Sequence, residues 1–389
     1  MYRFRRTSAG LVVPTRRKSV PAMHLLVYAA NIRVGGAVGA TASLIDQMPK
    51  IRNSRLMAGV KELSIEISTS VMKTMTQFQS VSSTPGIRLE VRDDYPHLLR
   101  PRVYPIVDAS YSVFGPTHIQ RRAPVEVVGF ADASIFSQRG VRRDMRTTLT
   151  DFRKRQLLRK SDVVIVEAES LRRRVLSLLP PERVHVVPNS IPSVFENPVE
   201  WTTSRLPPRL PGEVRLFYPA RGYPHKNHKI IPATAYEFLR LTGSALRVVT
   251  TLSHQEMDSL GLVGKKSVIN LGPVPVSACP YLYLETDGLF FPSLLETFSS
   301  APLEAQFLRR PIICSNATCI MDTVGANAQY FDALDAHSAA EAVSDALLDP
   351  ARREQLIENG WLESQQRPDS LSRATEIMQI VLDSIWCAL

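Results

Sequence analysis

The stretch Asp287-Gly-Leu-Phe-Phe291-Pro-Ser-Leu-Leu-Glu296-Thr-Phe-Ser-Ser-Ala-Pro302-Leu-Glu304-Ala decides the fold. The apolar run ending at Phe291 reads as a strand, and the polar residues after it as a loop. A helix follows, with Pro302 suited to the first helical position. A strand–loop–helix junction aims free backbone N–H groups and the positive end of the helix dipole at whatever lies above it. Glu296 and Glu304 sit on this junction with seven residues between them. Carboxylates there would repel a bare phosphate, but they accept hydrogen bonds from sugar hydroxyls. An amide cradle flanked by two carboxylates therefore suits a sugar diphosphate. A glutamate in a first turn is also a common capping partner, three residues after Ser or Thr. Ser300 and Glu304 are four apart, so that cap would have to be Ala301, a poor choice.

On both sides of this stretch short apolar runs alternate with longer amphipathic ones. His24–Ala30, Val125–Phe130, Asp162–Ala168 and Val184–Pro188 read as strands of a first half. Val214–Ala220, Leu246–Thr250, Ser267–Leu271, Asp287–Phe291 and Pro311–Cys314 read as strands of a second. Continuous apolar strands separated by helices predict parallel sheets buried on both faces. A chain of 389 residues has room for two such domains, each with its own core. Pro188 to Gly212 holds six prolines in 25 residues with little periodicity and reads as the join between them. The expected division is a tail at 1–22, a first domain at 23–190, a linker at 191–212, a second domain at 213–368 and a closing segment at 369–389. A last helix is expected from about Ser370 to Ile385.

Composition excludes several classes. Hydrophobic and charged contents of 44% and 22% are ordinary for a folded protein. No run approaches the ~18 apolar residues of a membrane span. Met1-Tyr-Arg-Phe-Arg-Arg6 is basic, but the apolar Leu11-Val-Val after it is far too short for an export signal, so residues 1–22 read as a disordered basic tail. Cys279, Cys314, Cys319 and Cys387 lack the paired spacing of a zinc site or a disulfide scaffold, which points to a reducing, cytoplasmic setting.

The net charge of +10 is unevenly placed. Residues 1–200 carry 31 Lys/Arg against 17 Asp/Glu, whereas residues 201–389 carry 16 against 20. The first half is thus expected to meet an anionic surface. Within it, Arg139 to Lys160 holds nine Lys/Arg and two acids and is expected to be helical over Met145 to Leu158. Such a run could dock at the inner face of an anionic membrane at ~1 kcal/mol per cation. Nucleic acid is not expected, since no recognised module or aromatic interleaving accompanies the charge.

Two further loops carry chemistry. Asn31-Ile-Arg-Val-Gly35-Gly36-Ala follows the first strand, and paired glycines let a backbone approach a ligand closely. The pattern is not Gly-x-Gly-x-x-Gly, so a dinucleotide site is not supported. Tyr218-Pro-Ala-Arg221-Gly-Tyr-Pro-His225-Lys226-Asn227 opens the second half. Arg221 and Lys226, five apart in a loop, can converge on one diphosphate, the first as a fork and the second as a point charge. His225 could donate to a phosphate, and His118 could offer a polar contact on the acceptor side.

The Glu296/Glu304 pair resembles the Glu-x7-Glu motif of retaining glycosyltransferases of the family-four or group-one type. Arg221/Lys226 resembles their Arg-x4-Lys pair. Tyr111–Thr117, Val128–Ala131, Ser161–Glu167, Val186–Asn189 and Ala328–Asp332 are similar to bacterial polysaccharide-cluster members, so the likeness spans roughly 23–365. It implies the GT-B fold, α/β with two Rossmann-like domains and a cleft between them, and a terminal helix that crosses back to the first domain. It also implies transfer of a sugar from a UDP- or GDP-sugar to a saccharide or lipid-linked acceptor. In that scheme Arg221 and Lys226 hold the diphosphate, Glu296 contacts the transferred sugar, and Glu304 accepts from the ribose hydroxyls. Amides near Phe298, Ser299 and Ser300 add to the phosphate cradle, and Gly35 and Gly36 face the donor across the cleft. With no Asp-x-Asp, a metal is not required. One departure stands out: many relatives carry Gly-Phe-Gly after the first glutamate, where this chain has Thr297-Phe298-Ser299-Ser300. A nucleotide-sugar 2-epimerase on the same fold and a non-catalytic sugar-nucleotide-binding protein remain the alternatives.

Overall fold

The computed structural model describes residues 23–33, 35–93, 107–115, 123–132, 135–136, 145–297 and 299–388. Among them thirteen strands form two wholly parallel sheets. The first holds β1 (Met23–Ala29), β2 (Val60–Ile67), β3 (Ile87–Val91), β4 (Ala109–Ser112), β5 (Val125–Phe130), β6 (Val163–Val166) and β7 (Val184–Val186), in the spatial order β3-β2-β1-β4-β5-β6-β7. The second holds β8 (Val214–Tyr218), β9 (Leu246–Thr250), β10 (Val268–Asn270), β11 (Gly288–Phe291), β12 (Ile312–Ser315) and β13 (Gln329–Phe331), in the order β10-β9-β8-β11-β12-β13. Both are the doubly wound order of a Rossmann-like domain. The strand order reverses between β1 and β4 and again between β8 and β11, and open α/β sheets bind ligands off the carboxyl ends of strands at such reversals.

Burial explains which strands the sequence announces. β8 and β11 are buried at every position; β11 is an unbroken apolar run, and β8 is interrupted only by Arg215, whose guanidinium is paired inside the fold. Four strands were not among those expected from apolar runs: β2, β3, β4 and β13. β2 reads Val60-Lys-Glu-Leu-Ser-Ile-Glu-Ile, with Ser64 and Glu66 buried among its apolar residues. The edge strand β3 alternates Ile87-Arg-Leu-Glu-Val. Lys61, Glu62, Ser64 and Glu66 on β2, and Arg88 and Glu90 on β3, hide both strands from a search for continuous hydrophobicity.

The helix Ser370–Ala388 packs Ala374, Ile377, Met378, Val381, Leu382 and Ile385 into the core of the first domain, with β1, β4 and β5. Its entry is fixed by Ser370, whose N–H and hydroxyl donate to Glu196 at 3.1 and 2.6 Å, and by the buried pair Arg373–Glu167 at 3.4 Å. The segment between the sheets touches both domains: Ser193 N–H donates to Ser43 Oγ of the first at 3.0 Å, and its later part is held on the second. The buried Arg215 guanidinium donates to the carbonyls of Pro207 and Pro208 and pairs with Glu213 at 2.7 Å. Val194 and Phe195 join the second core.

Candidate active site

The loops leaving β8 and β11 meet because those strands are neighbours in the sheet. After β8 the chain turns through Pro224–Lys226, and Asn227 takes a left-handed conformation (φ 56°) before the helix Ile231–Thr242. After β11 it runs through Pro292 to Ser299 into the helix Ser300–Phe307. The N–H of Leu294 donates to the carbonyl of His225 at 2.7 Å, a backbone bond between the loops. Lys226 Nζ lies 2.5 Å from Glu296 Oε1, with 16% and 9% of the two side chains exposed. The same ammonium stands 5.6 Å from the centre of the Phe291 ring. Two residues 70 apart in sequence thus form one charged pair at the reversal of the second sheet.

Arg221 has a different partner. Its Nε donates to Glu256 Oε1 at 2.8 Å, and the N–H of Gly222 donates to the same oxygen at 2.9 Å. Glu256 also closes a reciprocal capping box with Ser253 at the start of the helix His254–Leu260. Burial opposes the charge of Glu256, but the bonds from Gly222, Ser253 and Arg221 overcome it and hold the carboxyl down to about 2. Each cation of the Arg-x4-Lys pair is therefore held by its own carboxylate. The Ser-x-x-Glu pattern at 253–256 was available as a signal for Glu256.

Glu304 is buried, with 6% exposed. Ser300 Oγ donates to its Oε1 at 2.7 Å, and the buried Tyr283 hydroxyl to its Oε2 at 3.0 Å. Burial pushes its carboxyl up, against the lowering effect of those two bonds. A carboxylate offers about four lone-pair sites, so ribose hydroxyls can be added to the two bonds already present. The helix begins at Ser300, two residues before the Pro302 start expected from sequence. The first-turn N–H groups have no intrahelical acceptor, so proline is tolerated anywhere in that turn. Ser299 is the N-cap and makes no side-chain capping bond, which leaves first-turn amides open to another acceptor.

Gly35 caps the helix Gly36–Asp46 with φ 74°, a left-handed conformation that favours glycine. A Cβ at Gly35 or Gly36 would meet nothing within 4 Å, whereas one at Gly39 would lie 4.0 Å from Val276 of the second domain. This helix therefore faces the second sheet's loops. Burial and then the Lys226 charge lower His225, and burial takes His228 down to about 4, so both are neutral imidazoles near pH 7. His118, Phe298, residues 1–22 and Arg139–Asp144 lie outside the described residues. The helix Met145–Lys160 exposes Leu149 and Phe152 (51% each) beside the exposed Arg153, Arg159 and Lys160. Among the described residues no helix is long and apolar enough to cross a membrane, and no three His, Cys, Asp or Glu side chains group as metal ligands.

Residues 254–362 match the family described as glycosyl transferases group 1, a span that includes Glu256, Glu296 and Glu304. The matched residues all lie in the second domain. Over 96 residues the chain is 31% identical to O-antigen chain mannosyltransferase B of Escherichia coli, covering 25% of each chain. It thus spans about a quarter of the length of that curated relative. Among solved structures it resembles sucrose-phosphate synthase from Thermosynechococcus elongatus (13% identity, TM-score 0.63, 95% of this chain and 100% of that one). It also resembles Anabaena HepE solved with UDP and glucose (15% identity, TM-score 0.59, 93% of this chain and 100% of that one). Those likenesses show the shared two-domain GT-B fold.

Proposed function

We propose that the chain is a retaining glycosyltransferase that moves a sugar from a nucleoside-diphosphate sugar to a saccharide or lipid-linked saccharide, in the making of a bacterial surface polysaccharide. The observation that carries the reading is the Lys226–Glu296 pair at 2.5 Å, which joins a cation suited to phosphate with a carboxylate suited to sugar hydroxyls. Lys226 and Arg221 would hold the diphosphate and offset the charge that grows on it as the glycosidic bond breaks, the task a metal performs elsewhere. First-turn amides of the helix Ser300–Phe307 would add donors. Glu304 would take the ribose hydroxyls, and Glu296 the hydroxyls of the transferred sugar. The mannosyltransferase relative supports the polysaccharide role, and the UDP and glucose held by Anabaena HepE support the donor class.

The cationic helix Met145–Lys160, with Leu149 and Phe152 exposed among its charges, would rest the first domain on anionic lipid, where a lipid-linked acceptor is found. Calorimetric titration with UDP, GDP and ADP, without metal, tests the donor site. Saturable binding of one of them, lost in Arg221→Ala/Lys226→Ala, is expected. Binding of none, or equal binding by the double variant, rejects the assignment.

A further inference from the structure

Tyr218 closes β8 and is fully buried. Its ring meets Phe291 edge-on at 5.9 Å and lies 4.6 Å from the His228 ring. Its hydroxyl reaches both motif loops at once. It donates to the carbonyl of Lys226 at 2.8 Å and sits 3.0 Å from Ser293 Oγ. With the phenol proton spent on the Lys226 carbonyl, Ser293 is the donor of the second bond. The carbonyl of Ser293 accepts in turn from Ser315 Oγ at 2.5 Å, at the end of β12. One oxygen atom therefore links the end of β8, the last turn of the cationic loop and the turn after β11. Burial raises the phenol far above its ordinary value, so it keeps its proton at any working pH.

We infer that Tyr218 is a positioning residue whose hydroxyl sets the backbone of Lys226 against the loop of Glu296, so that phosphate and sugar contacts are held in register. The inference rests on the donor-site reading above. Without the hydroxyl, the ring packing against Phe291 and His228 persists, while a part-buried carbonyl and a buried serine each lose a partner and the two loops part more readily. Lys226 is the group through which this is felt, since its main chain is what the phenol holds. The Leu294–His225 backbone bond and the Lys226–Glu296 pair are further ties between the loops.

The test is a double-mutant cycle on the full chain, with UDP, GDP and ADP as probes in calorimetry and the melting midpoint measured alongside. Tyr218→Phe is expected to weaken binding of the accepted nucleotide about three- to tenfold in the wild-type background, and by less than about twofold in Lys226→Ala. Equal losses in both backgrounds mean a general packing role and overturn the inference, as does wild-type affinity in Tyr218→Phe. Both outcomes leave the donor site standing. A wild-type protein that binds none of the three nucleotides overturns the donor-site reading and this inference with it. Should Tyr218→Phe not fold, Ser293→Ala carries the same comparison, with a smaller loss expected and the same disappearance in Lys226→Ala.

Discussion

Replacing Glu296 by Gln should separate nucleotide binding from sugar transfer, and in opposite directions. Lys226 Nζ and Glu296 Oε1 are 2.5 Å apart and mostly withdrawn from solvent, so salt and water screen them weakly. In the variant an ammonium–carboxylate pair becomes an ammonium–amide bond, toward the lower end of the about 1.5–3 kcal/mol of hydrogen bonds to charged groups. An incoming diphosphate must draw the lysine from its carboxylate, and the amide lowers that cost by about 1 kcal/mol. It also removes a negative charge that stands close to the phosphates. Nucleoside diphosphate should therefore bind Glu296→Gln about three- to tenfold more tightly than the wild type, by calorimetry. Transfer from the cognate nucleotide-sugar should fall by roughly 100-fold or more, because the amide cannot match a carboxylate facing the sugar hydroxyls as charge develops. Release of nucleoside diphosphate from donor and acceptor, followed at saturating donor, measures this. A variant that turns over normally, or one whose nucleotide affinity drops tenfold, would refute the assignment of the pair.

Three further outcomes follow from burial and charge. Glu256, held at about 2 against the ordinary 4.5, contributes stability that is present above pH ~4.5 and lost as pH falls toward about 2. Urea midpoints of the wild type and Glu256→Gln should thus differ most above pH 5 and converge near pH 2.5; a constant difference contradicts the account. Glu304 has the opposite sign: its carboxyl is raised by burial, so its charged form weakens the fold as pH rises through its folded value. Glu304→Gln should raise the melting midpoint at pH 7, by less at pH 4, while costing about tenfold in nucleotide affinity; a lower midpoint at pH 7 would count against it. Ile377→Ala, in a fully buried position of the terminal helix, should cost about 2–5 kcal/mol and lower the unfolding midpoint of the first domain; a loss under about 1 kcal/mol would mean the helix is not part of that core.

Much of the fold was legible because parallel strands with helices on both faces are largely apolar, as β11 is throughout and β8 is apart from Arg215. The less legible strands carry polar side chains with their own partners inside the fold. Glu66 on β2 is buried beside Arg92, 2.5 Å away, and Arg88 on β3 reaches Ser64 Oγ. Such pairs are invisible until the strands lie side by side. The terminal helix shows the same limit. Its amphipathic period announces a helix, but only the packing of Ile377, Met378 and Val381 against the first core tells which domain it covers.

At the candidate site, the groups legible in the sequence are those whose chemistry is local: Lys226 beside Pro224-His225, and Glu296 after an apolar strand. The groups that orient them come from elsewhere in the chain. Tyr218 reads as a core aromatic, Tyr283 as another and Ser293 as a turn residue, and nothing in their neighbours' identities says that their hydroxyls hold Lys226, Glu304 and Tyr218. Strand order makes the long-range pairing predictable after the fact. In the order β10-β9-β8-β11 the chain crosses to the far side of β8 only after β10, so the loops after β8 and β11 are the pair that borders the reversal. A cationic loop after the first strand and an acidic loop after the fourth must therefore meet in any sheet wound this way. The 2.5 Å contact between Lys226 and Glu296 is the local expression of that topology.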